Sequence, residues 1–166
     1  MAKNFSFDVS TGVDLQEVDN AVNQARKEVA QRYDFKGAHA EIEFDRARAV
    51  LRLEADDEYK MRALYDVLQS KLVRRGVPLK NLKPGTIDAA ALGRVRQEIA
   101  LQQGIPSDTA KEIARAIKDR KMKNVQVAIQ GDQLRVSSPS KDALQEVIAF
   151  LRSQDFGVEL QFGNYR

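Results

Sequence analysis

The chain repeats itself at an offset of half its own length. At that offset Glu41-Ile42-Glu43-Phe44 lies on Asn124-Val125-Gln126-Val127, and Leu51-Arg52-Leu53 lies on Leu134-Arg135-Val136. Met61, Leu64, Tyr65, Val67 and Leu68 then fall on Leu144, Val147, Ile148, Phe150 and Leu151. These apolar positions keep one side of a 3.6-residue period in both copies, while the polar letters between them differ freely. A shared fold behaves this way, because a core accepts only apolar exchanges and a surface accepts almost anything. A duplicated β-β-α unit therefore organises the chain, and function has to be placed on it.

Half of a 166-residue chain is long enough for a thin core of its own. With 43% apolar and 31% charged residues the composition is globular. No run approaches the roughly 20 apolar residues of a membrane span, and Met1-Ala2-Lys3-Asn4-Phe5-Ser6 has no signal-peptide core. Cysteine is absent, which excludes disulfides, thiolate nucleophiles and cysteine-based zinc sites. A cytoplasmic protein with no membrane contact is the simplest expectation. The net charge of +3 is mild, and neither half is the strongly basic body of a dedicated duplex binder.

Phe5, Phe7 and Val9 alternate with polar residues, which predicts a strand with one buried face. Asp14 with Glu17 reads as a loose capping box opening a helix from Val13 to Tyr33, with Tyr33 on the buried side. Residues 40–45 and 50–54 read as a hairpin around a turn at 47–49. A helix from Asp56–Glu58 to about Arg75 follows, with Lys71, Arg74 and Arg75 as dipole complements and Gly76 as the stop. The order then recurs. A helix spans 106–121, strands span 124–130 and 133–137 around Gly131-Asp132, a helix runs from 139–140 to 154, and a closing strand lies at 159–162.

Residues 77–103 are the hard stretch. Pro78, Pro84 and Gly85 read as loop or linker, and the repeat logic asks for a strand around 94–101 although helical spacing also fits. Each half then reads β-α-β-β-α-β. The predicted fold class is α+β: two tandem ferredoxin-like domains, each an antiparallel sheet with its helices on one face and its other face open.

Catalytic signals are weak. His39 sits in a loop with no spaced carboxylate partner, and Glu41, Glu43 and Asp45 read as the outward acids of a solvated strand. No phosphate-cradling glycine motif is present. The chain is expected to be no enzyme and to carry no metal or cofactor. RNA-binding sheets of this class stack bases on aromatics of the central strands. Here the outward residues are Glu43, Arg52 and Glu54 in one copy and Gln126, Ala128, Gln130 and Arg135 in the other. None is aromatic, so that mode is disfavoured. A guanidinium at Arg135 beside the amides of Gln126 and Gln130 is suited to a guanine edge and its phosphate. Lys111, Arg115, Lys118, Arg120, Lys121 and Lys123 form the strongest basic run, either a solvated helix face or a set of phosphate contacts.

Phe5-Ser6-Phe7-Asp8-Val9-Ser10, Val13-Asp14-Leu15-Gln16-Glu17-Val18, Arg32-Tyr33-Asp34-Phe35-Lys36 and Lys71-Leu72-Val73-Arg74-Arg75-Gly76 together resemble the YajQ family of small bacterial proteins. The resemblance continues through Gln103-Gly104-Ile105, Ile117 to Lys123, Gln130 to Val136, Ser140-Lys141-Asp142 and Gln161 to Arg166, with residues 80–101 departing most. It implies two ferredoxin-like domains that exchange their first strands: 11–102, completed by the strand near 94–101, and 1–10 plus 103–166, completed by the N-terminal strand. It also implies nucleotide binding without established catalysis, with links to cyclic di-GMP and to RNA. The expected function is a non-enzymatic effector holding a guanine nucleotide, cyclic di-GMP among them, and acting by ligand-dependent contact with a partner. The expected ligand-binding residues are Arg135, Gln126 and Gln130, with Lys118, Lys121 and Lys123 as phosphate contacts. An RNA-binding module on the basic helix and a protein-interaction scaffold are the rival readings.

Overall fold

The computed structural model describes residues 4–166 and divides the chain into two compact units. One takes the chain up to Gly12 together with Gln103–Arg166; the other is Val13–Gln102.

In the unit Val13–Gln102, helix α1 (Leu15–Gln31) starts on Asp14, whose carboxylate accepts from the backbone N–H groups of Gln16 and Glu17. The hairpin β2 (Ala40–Asp45) and β3 (Val50–Ala55) follows, then α2 (Glu58–Arg74), capped by Asp57. Strands β4 (Leu82–Ala89) and β5 (Val95–Leu101) complete an antiparallel sheet of order β2-β3-β5-β4. Val18, Val22, Leu51, Leu53, Met61, Leu64, Leu68 and Ile99 fill the layer between helices and sheet.

In the other unit, β1 (Phe5–Ser10) lies between β7 (Gln133–Ser138) and β8 (Gln161–Gly163), and β6 (Gln126–Gln130) pairs with β7 to give the order β6-β7-β1-β8. Helices α3 (Ser107–Asp119) and α4 (Lys141–Arg152) cover one face over a core of Phe7, Val9, Ile113, Ile117, Leu134, Val136, Val147 and Leu151. Both units are ferredoxin-like α+β sandwiches with the same strand order. In each, the strand seated beside the inner hairpin strand comes from a distant part of the chain.

The duplication is real but not uniform in spacing. Leu51 and Leu53 correspond to Leu134 and Val136 at the half-length offset. Their partners Phe44 and Ile42 correspond to Ile129 and Val127, a spacing wider by two. The second hairpin turns in two residues, Gly131-Asp132, where the first uses four, 46–49. A slip of two preserves which face each side chain takes, so the simpler offset still registered in the sequence.

Three expectations need correction. Tyr33 is not in the core but 89% exposed. Helix α1 ends at Gln31, Arg32 is extended, and the 3₁₀ turn Tyr33–Phe35 sends Phe35 inward instead. Residues 82–89 are no linker but the edge strand β4. Pro84 is tolerated there because an edge strand has one side without ladder bonds, and the register shifts between Pro84 and Ile87. The cations ending α2 do more than match its dipole, since Lys71 Nζ meets Glu28 at 2.9 Å and Arg75 meets Glu17 at 3.5 Å, both on α1.

Candidate functional site

The two sheets leave faces of different chemistry open. In the β2-β3-β5-β4 sheet the outward rows are Glu41, Glu54 and Arg96, then Glu43, Arg52 and Glu98. A shallow cavity of about 240 Å³ lies over these six residues. Acids outnumber arginines two to one, which opposes a phosphate. His39, expected to lack a carboxylate neighbour, has one: its Nε2 lies 3.1 Å from Glu54 and 3.9 Å from Glu41, while Asp56 accepts from its backbone N–H. Cross-strand pairing brings Glu54 back beside the loop, which linear spacing could not reveal. Among the described residues, no three His, Asp or Glu side chains are grouped as a metal ion would require.

The open face of the β6-β7-β1-β8 sheet is polar and nearly uncharged. Gln126, Ala128 and Gln130 of β6 share it with Ser137, Arg135 and Gln133 of β7 and with Ser6, Asp8 and Ser10 of β1. Ala128 and Asp8 flank Arg135 in register, so Gln126 and Gln130 lie diagonally to either side of it. Arg135 Nε donates to Asp8 Oδ1 at 3.0 Å, and Asn164 Nδ2 donates to Asp8 Oδ2 at 2.7 Å. Asn164 reaches that position from a left-handed backbone, φ 52, where the pairing beside β1 slips from Asp8–Gly163 to Ser6–Arg166. The Arg135 hydrogen bond, then that of Asn164, hold the Asp8 carboxyl below the ordinary aspartate range against a smaller opposing effect of burial. With Nε engaged, the two Nη groups of Arg135 remain as a two-pronged donor on a guanidinium fixed in orientation. The hydrogen-bonding groups of this face are suited to holding a ligand.

The structure therefore unites Arg135, Gln126 and Gln130 and separates the three lysines from them. Lys118 lies in the last turn of α3, in the helical layer, and Lys121 and Lys123 lie in the turn from α3 to β6. All three are exposed, and Lys121 is left-handed at φ 52. Sequence reasoning missed Asp8 and Asn164. Asp8 is 127 residues from Arg135, and no local pattern announces that β1 and β7 are neighbours. A cavity of about 250 Å³ between β1, α4 and Tyr165 was also missed; its walls include Phe5, Leu144 and Ile148, with Lys141 Nζ 4.8 Å from the Phe5 ring centre.

The sequence profile of the family described as "Nucleotide-binding protein YajQ-like" matches residues 5–166. The chain belongs to this family. A nucleotide-binding protein of Koribacter versatilis (strain Ellin345) is 52% identical over 166 residues, covering all of this chain and 99% of the relative. A nucleotide-binding protein of Desulfitobacterium hafniense (strain Y51) is also 52% identical, over the whole of both chains. One of Chloroherpeton thalassium (strain ATCC 35110 / GB-78) is 45% identical with the same full coverage. The family match thus extends through residues 80–101 as well. Among the described residues no helix is long and apolar enough to cross a membrane.

Proposed function

We propose that this YajQ-like protein binds a guanine nucleotide on the open face of the β6-β7-β1-β8 sheet and releases it unchanged. The observation that carries the reading is the Arg135 guanidinium, anchored through Nε by Asp8 on a face that also carries Gln126 and Gln130 diagonal to it on β6. A guanine offers two adjacent acceptors, O6 and N7, to such a fork, and a phosphate offers paired oxygens. Adenine places an amino donor where guanine has O6, so it meets the same fork with one clash of donors. The names of the relatives support a nucleotide; the side-chain chemistry favours guanine.

Cyclic di-GMP combines two guanines with two phosphates and suits a face that can hydrogen-bond both. In this reading the bound ligand covers a polar face and alters what that face can contact, which makes the protein an effector with a partner and not an enzyme. Isothermal titration with cyclic di-GMP, GTP and ATP is the test. Guanine ligands are expected to bind below about 100 μM and ATP more weakly, with Arg135→Ala losing roughly tenfold or more. No binding by any of the three, or full affinity in Arg135→Ala, removes the proposal, and turnover of a nucleotide by purified protein reverses its non-enzymatic part.

The RNA reading rests on a different observation. Lys111, Arg115, Lys118, Arg120, Lys121 and Lys123 are all exposed, and among the described residues none of them forms an ion pair. A run of cations without acidic partners along a helix and its following turn, with Arg120 lying over the Phe150 ring at 4.5 Å, suits a phosphate backbone. Binding whose log–log salt slope is several-fold steeper than that of a dinucleotide, and which Lys118→Ala weakens, would favour it.

A further inference from the structure

Four strands lie at sheet edges: β2 and β4 in one unit, β6 and β8 in the other. An open edge is a template for another strand, and proteins usually blunt it with charge, proline, irregularity or shortness. β2 carries Glu41, Glu43 and Asp45; β4 holds Pro84 and a break in register; β8 has three residues. β6 has none of the commoner devices. Gln126-Val127-Ala128-Ile129-Gln130 contains no charge, proline or glycine, and its register with β7 is unbroken. Ile129 is left 45% exposed, and no backbone bond from another segment reaches the outer side of the strand among the described residues.

The strand is also self-complementary when reversed. Antiparallel to itself about Ala128, it sets Gln126 against Gln130, Val127 against Ile129, and Ala128 against Ala128. The backbone phase agrees with this. A two-residue loop closes on a hydrogen-bonded pair, here Gln130–Gln133, so Gln126, Ala128 and Gln130 bond inward to β7. Val127 and Ile129 then direct their N–H and C=O groups to the open side, where a reversed copy would offer the same two residues.

We propose that β6 pairs with β6 of a second copy of this chain across a two-fold axis at Ala128, joining two four-stranded sheets into one of eight. Val127 meets the partner's Ile129 through paired backbone bonds on each side of the axis. The small Ala128 occupies the close, non-hydrogen-bonded position, and the half-exposed Ile129 is covered. The symmetry is closed, so the assembly stops at two. Nothing in this depends on the nucleotide reading.

Light scattering or sedimentation of the whole protein at roughly 100 μM is the first measurement, because a contact of one short strand pair is smaller than a standard interface. It is made in about 0.3 M salt, which screens the cationic α3 beside the edge. A dimer is expected, with Ile129→Lys weakening it at least about tenfold by placing a charge on the edge. The absence of native cysteine allows a second test independent of that variant's folding. Non-hydrogen-bonded antiparallel partners have Cα atoms about 4.5 Å apart, within disulfide range. Under mild oxidation Ala128→Cys is expected to cross-link to dimer at least about tenfold faster than Gln154→Cys, an exposed position just after the end of α4. A monomer throughout, a dimer indifferent to Ile129→Lys, open polymers, or equal cross-linking of the two cysteine variants each overturns the proposal.

Discussion

Asp8 joins three parts of one unit: it is on β1, and it holds Arg135 of β7 and Asn164 just after β8. Asp8→Ala is expected to cost roughly 1–2 kcal/mol in urea unfolding. The value stays modest because Arg135 remains 31% exposed while Asp8 is 15% exposed. Its effect on ligand affinity should exceed its effect on stability, since an untethered Arg135 loses its preset orientation. The same carboxylate sets an acid limit. Its native pKa is depressed by Arg135 and then Asn164, so its contribution is fully present above the ordinary aspartate range. The contribution is lost as pH falls through that range toward the depressed value. Chemical unfolding followed from pH 7 to about pH 3 should therefore show a steeper loss of stability in the native protein than in Asp8→Asn.

At the scale of elements, the inner strand β7 and its hairpin turn carry different kinds of constraint. Leu134 is fully buried between the sheet and its helices, so Leu134→Ala should destabilise by about 3–4 kcal/mol through lost burial and the cavity left behind. Gly131 begins the two-residue loop at φ 64, in the left-handed region. Gly131→Ala should cost about 1 kcal/mol although no atom obstructs the added methyl group, and thermal unfolding would register it. The elements most legible in the sequence are those whose period and punctuation agree. Helix α1 starts at Asp14, α2 stops before Gly76, and β6 and β7 turn at Gly131-Asp132. β4 was illegible because Pro84 and Gly85 signal a break everywhere except on an edge with irregular register. Tyr33 was misread because helical spacing alone does not say where a helix ends. Of the candidate site, the parity of β6 and β7 was enough to gather Gln126, Gln130 and Arg135. Asp8 and Asn164 depend on long-range pairing, which leaves no local trace.

At the scale of the molecule, the segment Val13–Gln102 contains both helices and all four strands of its own sheet. We expect it to fold alone, with a cooperative melt and dispersed amide resonances. Residues 103–166 contain only three of the four strands of theirs, and the missing β1 carries Phe7 and Val9 into the middle of the core. That fragment should stay largely unfolded until a peptide of residues 4–12 is supplied, and a far-ultraviolet circular dichroism titration would report the gain. An ordered fragment without the peptide would mean that β1 decorates this unit and does not complete it. The position of β1 also sets an order of events during synthesis. Phe5–Ser10 is made well before the strands flanking it, Gln133–Ser138 and Gln161–Gly163. At roughly 5–20 residues per second, the nascent chain carries two unseated core side chains for about 6–25 seconds before either neighbour exists. Until β7 emerges, Phe7 and Val9 are transiently exposed apolar surface of the kind that favours aggregation in a nascent chain.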